Sequence, residues 1–388
     1  MTTKPKVKMN GHQPQPREIV IIGAGLIGVS TAYYLSKHLD LHPESKITLV
    51  EEENVGTGSS GYANGLLVRD ECDEMPKTGY DLHRSLAKDF GGELKWGYKT
   101  IDLYDANLDV SSSSSSMISL SFLPPSTSIH HRSLPTAICQ PSDFTRHLCG
   151  LFLTHPGASL MIARATSLTF FPPQSNGKPY ERDEGSVGGS GSGKERRRIN
   201  GINIVQIING IEEIVHLKAD IIIASTGIKT PLLLKTSLGE EIQTKTKEIG
   251  QKEWEGIVIK PKERLKPCAV KISQGEAEGK VVMVVRDDGT AFISRPLSSL
   301  SSSDNKDKSN LITYVESLSS KFASSNGTLV LSQTKWSCPT TPDNQPLMED
   351  LSLIPGGIDG LWVGIGGNTT QGPAIGLNLA SRILDGNT

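Results

Sequence analysis

Structure starts abruptly at Arg17. Glu18 to Ile22 (EIVII) is a short apolar, β-branched run, the pattern of a strand buried on both faces. Gly23-Ala-Gly-Leu-Ile-Gly28 follows, then a helical pattern through Leu39 with Val29, Ala32, Tyr33 and Leu35 on its inward side. A second apolar run, Ile47 to Val50, ends in three acids, Glu51 to Glu53. Together these predict a βαβ unit that finishes in a carboxylate.

Beyond it the pattern changes several times. Gly56 to Gly65 (GTGSSGYANG) is small and polar and reads as a loop ending in a short helix. Residues 76–134 are weakly patterned and contain a serine tract, Ser111 to Ser116, read as a flexible insertion. Pro141-Ser-Asp-Phe opens an amphipathic helix through about Leu153, with Ser142 as expected N-cap and Phe144, Leu148, Leu151 and Phe152 as its apolar stripe. Met161 to Phe171 predicts a strand, and Asn176 to Arg198 a low-complexity surface loop. Strands follow at Ile202 to Ile208 and Ile214 to Leu217, and the run Asp220 to Gly227 (DIIIASTG) resembles another central parallel strand ending at a glycine turn. Residues 241–335 alternate short strands (Val281 to Val285, Thr290 to Ser294, Thr328 to Ser332) with polar loops and a second serine tract, Ser298 to Ser303, which suggests an antiparallel sheet. The chain closes on a strand (LWVGI from Leu361), the turn Gly366-Gly-Asn-Thr-Thr-Gln-Gly372, and a helix from Pro373 to about Leu384.

Composition narrows the classes. With 388 residues the chain can bury a sizeable core. A net charge of −2 and 5% aromatic residues give no reason to expect a nucleic-acid partner. The first sixteen residues are polar and lack an apolar core, so they read as a disordered tail (1–16), and no apolar run reaches transmembrane length. Five scattered cysteines without a C-x-x-C pair support neither a disulfide framework nor a zinc site, and the histidines form no ligand-spaced cluster; no metal is expected. A reducing, cytoplasmic setting is the simplest expectation.

The chemistry begins at Gly23-x-Gly25-x-x-Gly28. Between an apolar strand and a helix, with Glu51 lying 23 residues beyond Gly28, this spacing fits a dinucleotide site. Gly23 permits the tight turn, Gly25 lets backbone approach a pyrophosphate, and Gly28 lets helix and strand pack closely. The helix N-terminus offers N–H donors to phosphate, and Glu51, with Glu52 beside it, would accept from ribose hydroxyls. Two further features favour FAD over NAD. Ser59, Ser60, Asn64, Gly65 and Leu66 follow the second strand, where a pyrophosphate and ribityl chain would lie. The C-terminal turn (Gly366, Gly367, Asn368, Gln371 and Gly372) launches a helix whose positive end suits the pyrimidine edge of a reduced flavin. Ala24, Leu26 and Ile27 within the first turn, and Thr226 and Gly227 after the later strand, complete the expected cofactor set. An NAD-dependent dehydrogenase remains open, because Gly23 to Glu51 would serve NAD equally well.

The motifs resemble those of the FAD-dependent amino-acid and amine oxidoreductases, the family of D-amino acid oxidase, glycine oxidase and sarcosine oxidase. The similarity lies in EIVIIGAGLIGVSTAYYLS…ITLVEE, GTGSSGYANG, CQPSDFTRHL, ADIIIASTG and the C-terminal stretch from Thr341 to Leu384. The serine-rich insertions resemble a fungal branch of oxidoreductases. The resemblance implies an α/β (α+β overall) chain: a Rossmann-like FAD-binding domain built from 17–75, 135–240 and 336–388, with a smaller, mostly antiparallel sheet substrate domain from 76–134 and 241–335. Low-complexity loops fall near 111–128, 176–198 and 298–308.

It also implies a small-molecule amine or amino-acid substrate, with hydride passing from the amine-bearing carbon to flavin N5 and oxygen as final acceptor. No acid–base pair is required by that scheme, and the catalytic residues stay unassigned. A flavin-binding protein without turnover, acting in trafficking or regulation, is the alternative from another class. Sarcosine oxidases tie flavin to a cysteine near the position of Cys338, but this residue reads more readily as an ordinary buried thiol than as a covalent flavin link. Relatives anchor the substrate carboxylate on an arginine; here Arg286 and Arg295 read as solvated strand arginines, and Asn368-Thr369 stands where some relatives place histidine-glycine.

Overall fold

The computed structural model describes residues 15–38, 41–108, 118–172, 197–239, 245–273, 281–297, 310–354 and 356–385. Most of the expected tail, both serine tracts and the loop at 176–198 up to residue 196 lie outside the described residues.

Apolar runs too short for helices build the first sheet. Its six strands run in the order Leu347–Asp350, Leu361–Ile365, Ile221–Ala224, Glu18–Ile22, Lys46–Glu51 and Ala158–Ile162. All neighbours are parallel except the first pair. Helices Leu26–Lys37, Pro141–Phe152 and Gly372–Asp385 pack on one face, joining Ile19, Ile21, Leu35, Phe144, Phe152 and Ile375 in one buried cluster. Such doubly covered parallel strands need apolar residues at every position, which is why they read as runs rather than alternations.

Residues 74–96, weakly patterned in sequence, form helices Glu74–Phe90 and Gly92–Trp96, and their Tyr80, Leu86 and Trp96 join the same cluster. Asp73 caps the longer helix, accepting from Met75 N. Helix Pro141–Phe152 starts differently from expectation: Gln140 is its cap and Pro141 occupies the first turn, so Ser142 lies inside the helix.

The expected strand Met161–Phe171 is two strands. Ala158–Ile162 pairs with Lys46–Glu51, whereas Arg164–Phe170 turns onto Arg197–Ile208 in a separate sheet. In that sheet Arg197–Ile208 and Ile211–Lys218 form a hairpin, and Asn209 and Gly210 at φ 54° and 81° supply its two-residue turn.

A seven-stranded sheet has the order Leu329–Thr340, Gly250–Lys260, Ala291–Pro296, Val281–Val285, Cys268–Ser273, Asp102–Asn107 and Ser128–Arg132. It is antiparallel but for one pair, Cys268–Ser273 with Asp102–Asn107. Strand Leu329–Thr340 pairs with Gly250–Lys260 over its whole length, so the expected boundary at 335/336 falls within one continuous strand.

Register in this sheet decides which side chains can reach a ligand. Glu255 and Arg295 are opposite one another, as are Gly256 and Ser294. Strand pleating sends these two pairs to opposite faces. The Arg295 and Glu255 side chains, only 5% and 3% exposed, bond at 2.7 Å, with the guanidinium over the Tyr314 ring. Arg286 stands half-buried over the Phe292 ring, and burial lowers its pKa. Neither is a solvated strand arginine: the sheet's pairing, invisible in a local sequence window, covers Arg295, and Arg286 lies just past strand Val281–Val285 over the Phe292 ring.

Candidate functional site

A cleft of about 1020 Å³ runs between the parallel sheet and the seven-stranded sheet. This is the upper end of the size range of small-molecule sites.

The first wall is the turn after the opening strand. Gly23 sits at φ +100°, and a Cβ there would lie 2.5 Å from the Ser225 carbonyl oxygen. Gly28 faces the same turn from the helix, its added Cβ falling 1.9 Å from the Gly23 carbonyl oxygen. Ser225 reinforces the junction, donating from its hydroxyl to the Ile22 carbonyl at 2.9 Å. Gly25 borders the cleft, and only Ser60 Oγ, at 3.3 Å, would meet its Cβ. Ser60 Oγ also accepts from Leu26 N at 3.0 Å, tying the second loop to the helix start. Glu51 at the strand tip accepts from Ala24 N at 2.7 Å and Glu53 N at 3.1 Å, so its carboxylate is fixed before any ligand arrives.

The C-terminal turn forms the facing wall. Gly366 and Gly367 take φ 87° and 70°. Asn368 and Gln371 then cap each other: Asn368 Oδ1 accepts from Gln371 N at 3.2 Å, and Gln371 Oε1 accepts from Asn368 N at 3.1 Å. The helix that follows crosses the first one at very close range. A Cβ on Gly372 would meet Leu26 Cγ at 2.5 Å, and one on Gly376 would meet Ser30 Cβ at 2.4 Å. Two glycine turns far apart in sequence thus start two helices side by side at one cleft.

Of the residues singled out from sequence, Gly23, Gly25, Leu26, Ile27, Glu51, Glu52, Ser59, Ser60, Asn64 and Leu66 line this cleft. So do Thr226, Gly227, Cys338, Gly366, Gly367, Asn368, Gln371 and Gly372. Three do not. Ala24 is fully buried, Gly28 is turned into the strand–helix junction, and Gly65 packs against the Cys139 carbonyl. The Cys338 thiol lies beside Ser59 and Trp336, and burial pushes its pKa up.

Sequence reading missed the wall supplied by the seven-stranded sheet: Lys252, Trp254, Ser294, Lys335 and Trp336, with Tyr62 opposite. Trp254 and Trp336 are cross-strand partners with rings 6.4 Å apart, and Tyr62 stacks on Trp336 at 6.4 Å. Gly256 makes this possible, because a Cβ there would come within 2.9 Å of the Trp336 ring. The available signal was one tryptophan in each of two separate strands, which cannot by itself distinguish a cleft face from a core face.

Behind the C-terminal turn stands His83, fully buried, with Nε2 donating to the Thr369 carbonyl at 2.9 Å and its ring 4.5 Å from Phe144. Thr370 Oγ1 accepts from Val68 N at 3.2 Å, and Gly79 presses on the Thr370 carbonyl, where a Cβ would lie at 2.0 Å. Burial holds the His83 pKa down at about 4, the bond to Thr369 opposing it. With the folded value below the unfolded one, stability contributed by neutral His83 is present above about pH 6.5 and is lost as pH falls toward 4. We expect this residue to account for a loss of roughly 3 kcal/mol across that window. Urea titrations at stepped pH should show His83→Gln lacking that portion of the slope; parallel slopes in both proteins would refute this role for His83.

Residues 18–112 match the family model described as DAO, FAD dependent oxidoreductase. TDA3 of Saccharomyces cerevisiae and C1F5.03c of Schizosaccharomyces pombe, both named as oxidoreductases, are 34% and 33% identical to the chain over 96 and 98 residues. Each match covers 24% of this chain, and 18% and 26% of the two relatives respectively. Among solved structures, glycine oxidase from Bacillus cereus is similar at a TM-score of 0.66 and 13% identity, over 96% of this chain and 98% of that one. L-proline dehydrogenase from P. horikoshii is similar at 0.63 and 16%, over 97% and 95%. These likenesses show a shared fold.

Proposed function

We propose, from the match of residues 18–112 to the FAD dependent oxidoreductase model, that the chain holds FAD along the cleft and oxidises a C–N bond of an amino acid or secondary amine. The observation that carries this reading is the convergence of two glycine turns and their helix starts on one cavity. The donor set fits the cofactor. Glu51, oriented by two backbone amides, would accept from ribose hydroxyls, and the open backbone at Gly25 beside Ser60 would face the pyrophosphate. The turn from Gly366 to Gly372 would meet the ring system, with a helix start to favour negative charge there.

Bound flavin would take up the hydride leaving the amine-bearing carbon, with oxygen as final acceptor. The chain's own contribution is a slot between two sheets, a pre-oriented Glu51 carboxylate and an aromatic wall of Trp254, Trp336 and Tyr62. The five cysteines are unpaired, which fits a cytoplasmic setting.

We propose that attachment is non-covalent. Burial pushes the Cys338 thiol pKa up, which disfavours the thiolate a covalent bond to flavin would need. The purified protein should be yellow, and acid precipitation should release the colour into the supernatant. A colourless protein that gains no flavin on incubation with FAD would sink the functional reading. Colour retained in the pellet would overturn only the non-covalent part.

A further inference from the structure

The cations bordering the cleft are not equivalent. Lys229 is paired with Glu52 at 2.6 Å and Arg164 with Glu212 at 3.9 Å. Lys252 and Lys335 have no carboxylate within ion-pair distance among the described residues. The carboxylates lining the cleft, Glu51, Glu52 and Glu53, all cluster at the tip of strand Lys46–Glu51, the end proposed to hold the ribose. The cleft is therefore polarised, with acids at one end and Lys252 on the wall of the seven-stranded sheet, while Lys335, opposite Glu255, stands at its margin.

Lys252 is the better placed of the two lysines. It is half-buried, whereas Lys335 is exposed. It stands opposite Cys338 and shares a strand face with Trp254, whose indole lies 5.3 Å beneath its ammonium. A cation over an aromatic face is oriented and partly desolvated but keeps its full charge and its N–H donors. Arg295 and Arg286 are engaged elsewhere, the first with Glu255 on the far face and the second over Phe292 outside the cleft lining. Next to Lys252 the Trp254–Trp336–Tyr62 stack offers flat apolar surface.

We propose that Lys252, braced on Trp254, anchors the anionic group of the cleft's ligand, and that the Trp336 ring is the wall for a flat apolar side chain. This assignment rests on the flavin reading for its place in a reaction. It names the substrate class: an amine that carries both a carboxylate and a planar hydrophobic group. A charge-assisted contact of this kind is worth about tenfold in affinity or more.

Phenylacetate and its neutral counterpart phenylacetamide separate charge from shape. Titrated into the full-length protein and followed by quenching of Trp254 and Trp336 fluorescence, phenylacetate should bind more tightly than phenylacetamide. Lys252→Met should weaken phenylacetate about tenfold and leave phenylacetamide unchanged, Lys252→Arg should restore most of the loss, and Lys335→Met should change little. In turnover with acid-bearing aromatic amines, Lys252→Met should raise KM far more than it lowers kcat. Equal affinity of the wild type for both probes, or unchanged phenylacetate binding in Lys252→Met, overturns the proposal. Because the fluorescence readout does not need flavin, a colourless protein that still discriminates through Lys252 would reject the oxidoreductase reading and keep the anion anchor.

Discussion

Gly28→Ala is expected to lose both the flavin and a substantial part of the fold's stability, while Gly25→Ala loses the flavin alone. At Gly28 the added methyl falls 1.9 Å from the Gly23 carbonyl oxygen and 2.7 Å from Ser225 Oγ. The first obstacle is backbone, so relief requires the helix to move off the strand. Overpacking of this kind costs about 1–3 kcal/mol, and the upper end is expected where no flexible side chain can yield. The displacement would also separate the helix start from its partner at Gly372, which leans on Leu26. At Gly25 the backbone is extended, at φ −71° and ψ 179°, and Ser60 Oγ at 3.3 Å is the only neighbour of an added Cβ. Alanine is tolerated there by the empty fold but projects toward the pyrophosphate path. The ratio of flavin to protein absorbance and the urea midpoint give the two readouts. If Gly28→Ala kept its midpoint, the tight junction would not be holding helix to strand; if Gly25→Ala kept its flavin, the pyrophosphate would lie elsewhere.

The elements legible in sequence are those whose signal is local. The opening strand, its glycine turn, the helix and Glu51 lie within one short window, and each residue type answers a constraint set by its immediate neighbours. The C-terminal turn was legible for the same reason, since Gly366, Gly367 and Pro373 punctuate it. Helix Glu74–Phe90 was hidden because it carries Pro76 and Gly79, which normally argue against helix. Pro76 sits in the first turn, where its missing N–H has no intrahelical partner to lose. Gly79 is explained only by a residue almost 300 positions away, the Thr370 carbonyl that a side chain would strike. The break at Ala163 is likewise a tertiary fact, since an apolar run carries no sign that it changes sheets midway.

The wall supplied by the seven-stranded sheet was the least legible part. Lys252, Trp254 and Trp336 are ordinary strand residues until the register of Gly250–Lys260 against Leu329–Thr340 places them side by side on the cleft. The same register puts Arg295 behind the sheet, where no scan for a substrate-binding arginine could have located it. A shift of one residue in that pairing would exchange the two faces. What faces the ligand is therefore a property of the pairing more than of any single motif.

That register is itself guarded by the buried Glu255–Arg295 pair, and Arg295→Met is expected to destabilise the protein by about 3–5 kcal/mol. Deleting the guanidinium leaves the Glu255 carboxylate 3% exposed and without the 2.7 Å bond from Arg295 Nε. It also removes the cation from the Tyr314 ring, loosening the contact between the sheet and helix Leu311–Leu318. Most of the cost is the stranded charge and not the worth of the pair, so removing both partners should be far milder. Arg295→Met combined with Glu255→Leu is expected to recover most of the loss, because similar volumes of apolar surface replace two ions that were costly to desolvate. Chemical denaturation of the two single variants and the double variant measures the cycle directly. A single-variant loss below about 1 kcal/mol would put the pair in the class of exposed ion pairs. It would then follow that the pair does little to hold Trp254 and Ser294 toward the cleft.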